Sequence, residues 1–211
     1  MTHDIFIRRK RLRRDGLEEV LRAYAMLADR SFRLEGDDPF QYTEQSCTTL
    51  LASAASVCGW AALSEWQTSK RCKLDRRKDV DGRADLWLQP PSGRDGYIAE
   101  AKHGYAGIVQ GALALERLES LETAARDDIA STCFVRGKGN DDRGIAVAFC
   151  NIHYHVDDTP TDEAWLEALR TYLVRADAWL VYRRGESFEG WSEQHRIAAH
   201  CVVIFRHRRA A

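Results

Sequence analysis

Asp85, Glu100 and Lys102 stand inside two short apolar runs, residues 82–88 (Gly-Arg-Ala-Asp-Leu-Trp-Leu) and 97–103 (Tyr-Ile-Ala-Glu-Ala-Lys-His). The Pro/Gly-rich segment between them, Gln89-Pro90-Pro91-Ser92-Gly93-Arg94-Asp95-Gly96, has the chemistry of a turn joining a hairpin. On a strand, Glu100 and Lys102 leave from the same face, roughly 7 Å apart. Unpaired charge on a buried hairpin is expensive, and a divalent cation with a phosphate would account for it. Two converging carboxylates make a hard oxygen site suited to Mg²⁺ or Mn²⁺, which leaves other positions to water and phosphate oxygens. A lysine beside such a site can orient or activate water, or stabilise charge developing on phosphorus. That is the inventory for hydrolysing a phosphodiester bond.

Gly82-Arg83-Ala84-Asp85, followed fifteen residues later by Glu100-Ala101-Lys102, resembles the PD-(D/E)xK nuclease superfamily. The resemblance covers about residues 38–152. It implies a restriction-endonuclease-like core: a helix, a three-stranded meander carrying the motif, a helix and a further strand. It also implies that Asp85 and Glu100 bind metal with the carbonyl of Ala101, and that Lys102 is the catalytic lysine. Glu44 matches the glutamate that many members place on the first core helix, and Gln110 the glutamine early in the helix after the motif. Arg83 and His103 flank the motif as candidate phosphate contacts. Ala84 stands where the pattern has proline.

At 211 residues and 45% hydrophobic composition, the chain is expected to form a single domain. The expectation is an α/β fold with a mixed central sheet flanked by helices. Residues 1–37 would be an N-terminal helical extension, and residues 153–211 a C-terminal helix and strands. The formal charge of −1 hides three basic runs, at 8–14, 70–78 and 206–209. Each by itself reads as solvated surface, but brought together they would form a face for nucleic acid, DNA above all. A homodimer is compatible with this reading. Six scattered cysteines without a C-x-x-C spacing suit a reduced, cytoplasmic protein. Neither a membrane-length apolar run nor a secretory leader is evident, so a membrane partner is not expected.

The elements that must position the motif follow from periodicity. Residues 15–32 read as an amphipathic helix with Asp15 as N-cap, and 39–57 as a second helix that starts at Pro39 and carries Glu44. Residues 60–68 read as a strand. If they were helical instead, Glu65 would compete with Glu44. Residues 106–126 read as a helix with Ile108, Val109, Ala112, Leu115, Leu118 and Leu121 inward and Glu122 outward. Residues 145–154, 178–182 and 199–205 read as strands and 161–174 as a helix opened by Thr161.

Other candidates are weaker. His153-x-His155 lacks a third ligand at metal spacing and reads as a strand-end pair. Arg136-Gly-Lys-Gly-Asn lacks the order of a phosphate-cradling loop, and no Gly-x-Ser-x-Gly elbow is present. The six tryptophans default mostly to core or hairpin-face positions; one could stack on a base, and the sequence does not select which. Glu100-x-Lys102 has its own plain alternative, a solvent-facing ion pair. Two rival functions stand beside the nuclease: a catalytically inactive nuclease-like module binding nucleic acid or protein, and a regulatory or immunity-type interaction protein of the kind bacteria use. A basic side chain in the metal position, or Asp85 and Glu100 on opposite faces, would count against catalysis.

Overall fold

A computed structural model describes residues 2–36, 39–71, 79–93, 95–133, 136–137, 140–141, 143–158, 164–183, 188–189 and 194–206. Seven long strands, β1 (Thr2–Ile7), β2 (Ala61–Arg71), β3 (Asp79–Gln89), β4 (Tyr97–Val109), β5 (Arg143–His155), β6 (Ala178–Arg183) and β7 (His195–Arg206), make one mixed sheet. Its order is β1-β6-β7-β5-β4-β3-β2, with Thr132–Cys133 added beside β2. Every neighbouring pair is antiparallel except β4 and β5, which run parallel from Tyr97↔Arg143 to Ile108↔Tyr154. Among the described residues, five helices flank the sheet: α1 (Lys10–Arg14), α2 (Leu17–Glu35), α3 (Glu44–Val57), α4 (Leu115–Ser131) and α5 (Ala164–Leu173). The fold is α/β with a mixed sheet, as expected. From α3 to β5 the order is helix, three-stranded meander, helix, strand.

Each face of the sheet carries its own core. Ala99 and Ala101 of β4 pack with Cys47, Leu51, Ala54 and Ala55 of α3 and with Val20, Leu21 and Tyr24 of α2. Ile98, Ala106 and Ile108 of the same strand pack with Leu118, Ala125 and Ile129 of α4 and with α5. Because successive side chains on a strand point to opposite faces, α3 and α4 lie on opposite sides of β4. Strand β5 is buried on both faces, with Ile145, Val147 and Phe149 in one core and Ala146, Ala148 and Cys150 in the other. This is what a covered interior strand requires.

The N-terminal segment is more than a helical extension, because β1 forms the far edge of the sheet against β6. Asp15 does not cap the long helix. Gly16, at φ 88, holds that position, while the Asp15 carboxylate accepts the Tyr97 hydroxyl at 2.5 Å and pairs with Arg11 at 3.4 Å. Pro39 opens only a 3-10 turn, Pro39–Gln41. The helix proper starts at Glu44 behind Thr43, whose hydroxyl accepts the Ser46 amide.

The largest correction concerns residues 106–126. Strand β4 runs on to Val109, turns at Gln110 and Gly111 with φ of 50 and 77, and returns through Ala112–Leu113 before α4 begins. Ile108 and Val109 fit a helical stripe and a strand equally well. The twelve-residue parallel pairing with β5 decides for the strand. Glu122, expected outside, is buried and binds Tyr172, Arg126 and Arg175. The expected Thr161 helix start, residues 72–78, residues 207–209 and Trp191 lie outside the described residues.

Candidate active site

Strands β3 and β4 pair only over Leu86↔Ala99, Trp87↔Ile98 and Leu88↔Tyr97. Beyond that point β3 stays with β2 as far as Asp79, and β4 stays with β5. The gap begins at Asp85 and Glu100. There the Ala101 amide donates to Asp85 Oδ2 at 2.7 Å, and Lys102 Nζ donates to the Ala101 carbonyl at 2.7 Å. Side chains of the motif therefore satisfy the backbone polar groups that a continued ladder would have used.

Lys102 is the hub. Its ammonium pairs with Asp128 Oδ2 of α4 at 2.8 Å and with Glu44 Oε2 of α3 at 3.8 Å. Burial alone would lower its pKa, but the hydrogen bond to Asp128 and the charges of Glu44, Asp128 and Asp85 outweigh burial and raise it. Glu44 is held above the usual carboxylate range. Burial pushes it up, the Lys102 ammonium draws it back, and the negative charges of Asp85 and Asp128 push it up again. Glu100, 1% exposed, accepts the Thr132 hydroxyl at 2.7 Å.

Glu44, Asp85 and Lys102, named from the sequence, thus share one cluster. Glu65 does not compete with Glu44: it lies on β2, at φ 55, and pairs with Arg83 at 3.6 Å. Arg83 is largely exposed beside Asp85. Gln110 sits in the turn after β4 and not on a helix, so the correspondence that singled it out does not hold. His103 faces the α3 side, where its Nε2 contacts the Phe40 carbonyl at 3.0 Å. Burial lowers its pKa and the Phe40 carbonyl opposes the shift only in part. Its ring lies 3.3 Å from Asn151 Nδ2 and so joins a polar chain with the buried Asn151, His200 and Tyr24.

Asp128 and Thr132 were not singled out from the sequence. The signal was present as Asp127-Asp128 interrupting an apolar stripe near a helix end. Placing that helix over 106–126 hid it.

The donor set suits a hard divalent cation: carboxylates of Glu44, Asp85 and Glu100 with the carbonyl of Ala101 are all oxygen ligands. The Glu44 carboxyl is raised first by burial, with Asp85 and Asp128 adding to the shift and Lys102 opposing it. Among the described residues, no group of three or more His, Cys, Asp or Glu side chains is already set to hold a metal ion. His153, His155 and His195 lie together at the strand ends, with neighbouring ring centroids 5.6 Å apart. Trp60 and Trp165 are core, while Trp66 is 39% exposed and stacked on Trp87. Buried Cys47, Cys150 and Cys201 are free thiols, and burial pushes Cys150 up to about 12.

Four residues of the basic run 8–14 are tied to the protein by ion pairs or hydrogen bonds, while Arg8, Lys10, Arg13 and Arg14 remain exposed. Arg8 and Arg9 bind Asp177, Arg11 binds Asp15 and Asp95, and Arg13 donates to the Ile7 carbonyl. No helix among the described residues is long and apolar enough to cross a membrane.

Fold and site together define an α/β protein with a charged cluster where two strands of a mixed sheet part. Compared with protein-family models, curated proteins and solved structures, the chain matches none of them.

Proposed function

We infer that the protein is a Mg²⁺-dependent nuclease of PD-(D/E)xK type that hydrolyses phosphodiester bonds, with DNA as the substrate. One observation carries the reading: the Lys102 ammonium lies within 3.8 Å of Glu44 and 2.8 Å of Asp128 where β3 parts from β4. Glu44, Asp85 and Glu100 with the Ala101 carbonyl would hold the cation. When bound, it polarises the scissile phosphate and lowers the pKa of a coordinated water. Lys102 donates hydrogen bonds to a carboxylate and a carbonyl, so its role is to orient the attacking water and offset charge on the phosphate. Arg83 offers an exposed guanidinium for a neighbouring phosphate.

A second reading is a catalytically inactive module of the same fold that binds nucleic acid or a protein partner. The contact of Lys102 Nζ with the Ala101 carbonyl favours it, because that ammonium stands on an atom assigned to the metal.

Labelled single- and double-stranded DNA and RNA, incubated with Mg²⁺ or Mn²⁺ and with chelator, test both readings. The wild type cleaves DNA only with metal, and Lys102→Ala loses at least about a hundredfold in rate while still folding cooperatively at the assay temperature. Full activity in that variant overturns the nuclease assignment. Binding without cleavage by the wild type selects the second reading.

A further inference from the structure

The sequence pair Glu100 and Lys102 has a partner pair on the facing helix. Lys102 Nζ meets Asp128 Oδ2 at 2.8 Å, and Glu100 Oε1 accepts the Thr132 hydroxyl at 2.7 Å. Asp128 lies in the last turn of α4 and Thr132 is the extended C-cap four residues on, where both side chains meet β4. The spacing of two residues on a strand thereby matches four across the helix end. The turn itself is braced: Thr132 Oγ1 also lies 3.3 Å from the Asp128 carbonyl, and Ser131 Oγ donates to that carbonyl at 2.7 Å. Thr132 then pairs with Lys70 of β2, tying the helix end to the neighbouring strand. Thr132 is 5% exposed and Glu100 1%.

We propose that the last turn of α4 and its C-cap are a positioning element for the motif, in which Thr132 orients the Glu100 carboxylate and Asp128 holds the Lys102 ammonium. The assignment rests on the phosphodiesterase reading of the site, but the contacts can be tested without it. Neither residue touches substrate in this scheme; each acts through its partner. A buried carboxylate with one oxygen fixed by a hydroxyl presents its second oxygen in a defined direction, and a lysine has too many rotamers to hold a position unaided. Asp128 supplies that restraint from the face opposite Glu44.

The test combines stability with kinetics. Thr132→Val and Glu100→Ala, singly and together, and Asp128→Asn and Lys102→Ala likewise, form two double-mutant cycles read by urea unfolding. Each pair is expected to be coupled by a factor of about ten or more in the folding equilibrium, the lower end of the range for hydrogen bonds to charged groups. Thr132→Val and Asp128→Asn should lower kcat for metal-dependent cleavage by about tenfold or more with KM little changed, and Thr132→Ser, which keeps the hydroxyl, should restore it. Additive cycles, or a Thr132→Ser variant as slow as Thr132→Val, overturn the positioning role. A wild type that does not cleave, with both cycles coupled, defeats the phosphodiesterase reading while the helix-turn contacts stand.

Discussion

Asp85 accepts the backbone amide of Ala101 at 2.7 Å and so takes the place of a strand residue at the point where β3 leaves β4. An acidic side chain in an apolar run thus has a structural task beside the chemical one proposed for it. The two can be separated by substitution. Asp85→Ala leaves the Ala101 amide without its acceptor and should lower stability by about 1–3 kcal/mol. Asp85→Asn keeps an oxygen for that amide and should retain most of the stability while losing metal-dependent cleavage. Urea unfolding and cleavage assays on the two variants check this, and an Asp85→Ala protein as stable as the wild type contradicts it.

Gly104 sets how closely α4 approaches β4. A Cβ there would meet Leu121 Cδ2 at 3.0 Å and Cδ1 at 3.2 Å. Leu121 and Asp128 are two turns apart on the same side of α4. Gly104→Val should therefore destabilise the fold by about 1–3 kcal/mol through overpacking. It should also weaken cleavage, because the helix that carries Asp128 is pushed from the sheet. Thermal melts with kinetics test it; unchanged values in both would show that Leu121 simply moves aside.

The buried polar chain behind the site makes the fold acid-sensitive. His200 is fully buried and its pKa lies well below the ordinary value, first because of burial and then because of His103. Burial also lowers His103 and His153. The unfolded chain therefore binds these protons more readily than the folded one, and stability is present above the unfolded value of about 6.5 and falls as pH drops below it. The expected outcome is a lower urea midpoint at pH 5 than at pH 7.5. Replacing His200 with a residue that does not titrate should flatten that dependence, and a midpoint unchanged across the range would refute it.

Asp177 anchors the N-terminal basic run. Its carboxylate binds Arg8 at 3.0 Å, Arg9 at 2.6 Å and the Arg206 amide at 2.8 Å. Burial alone would raise its pKa, but these three donors outweigh it and hold it low. This contribution is present above the unfolded value and is lost only as pH falls below about 4. Asp177→Ala should cost about 1–3 kcal/mol and speed trypsin cleavage in the run 8–14, because Arg8 and Arg9 lose their anchor. Nucleic-acid affinity should change little in Arg9→Ala, because Arg9 is bound to Asp177. A large loss of affinity would return the run to the binding surface.

Much of the architecture was legible in the chain. Strand β5 announces itself through Ala146-Val147-Ala148-Phe149-Cys150, apolar on both faces, and α2 through Leu17, Val20, Leu21 and Tyr24. Local pattern suffices there because burial and period agree. It fails at Ile108 and Val109, where both periods fit and only the pairing with β5 chooses. It also fails for β1, whose six residues become an edge strand only because β6, more than 170 residues away, presents its edge.

The same division holds for the site. Residue types and spacing determined that Asp85, Glu100 and Lys102 belong to a hairpin and that Glu44 lies on the helix before it. A two-residue step on a strand fixes which side chains share a face. Only the tertiary structure decided that β3 and β4 part at Asp85, that Glu44 and Asp128 reach Lys102 from opposite faces, and that Gln110 and His103 turn elsewhere. Those relations depend on helix ends packed on opposite sides of one sheet, at sequence separations of 58 and 26 residues from Lys102. No local pattern encodes contacts of that range; the packing of α3 and α4 on the sheet sets them.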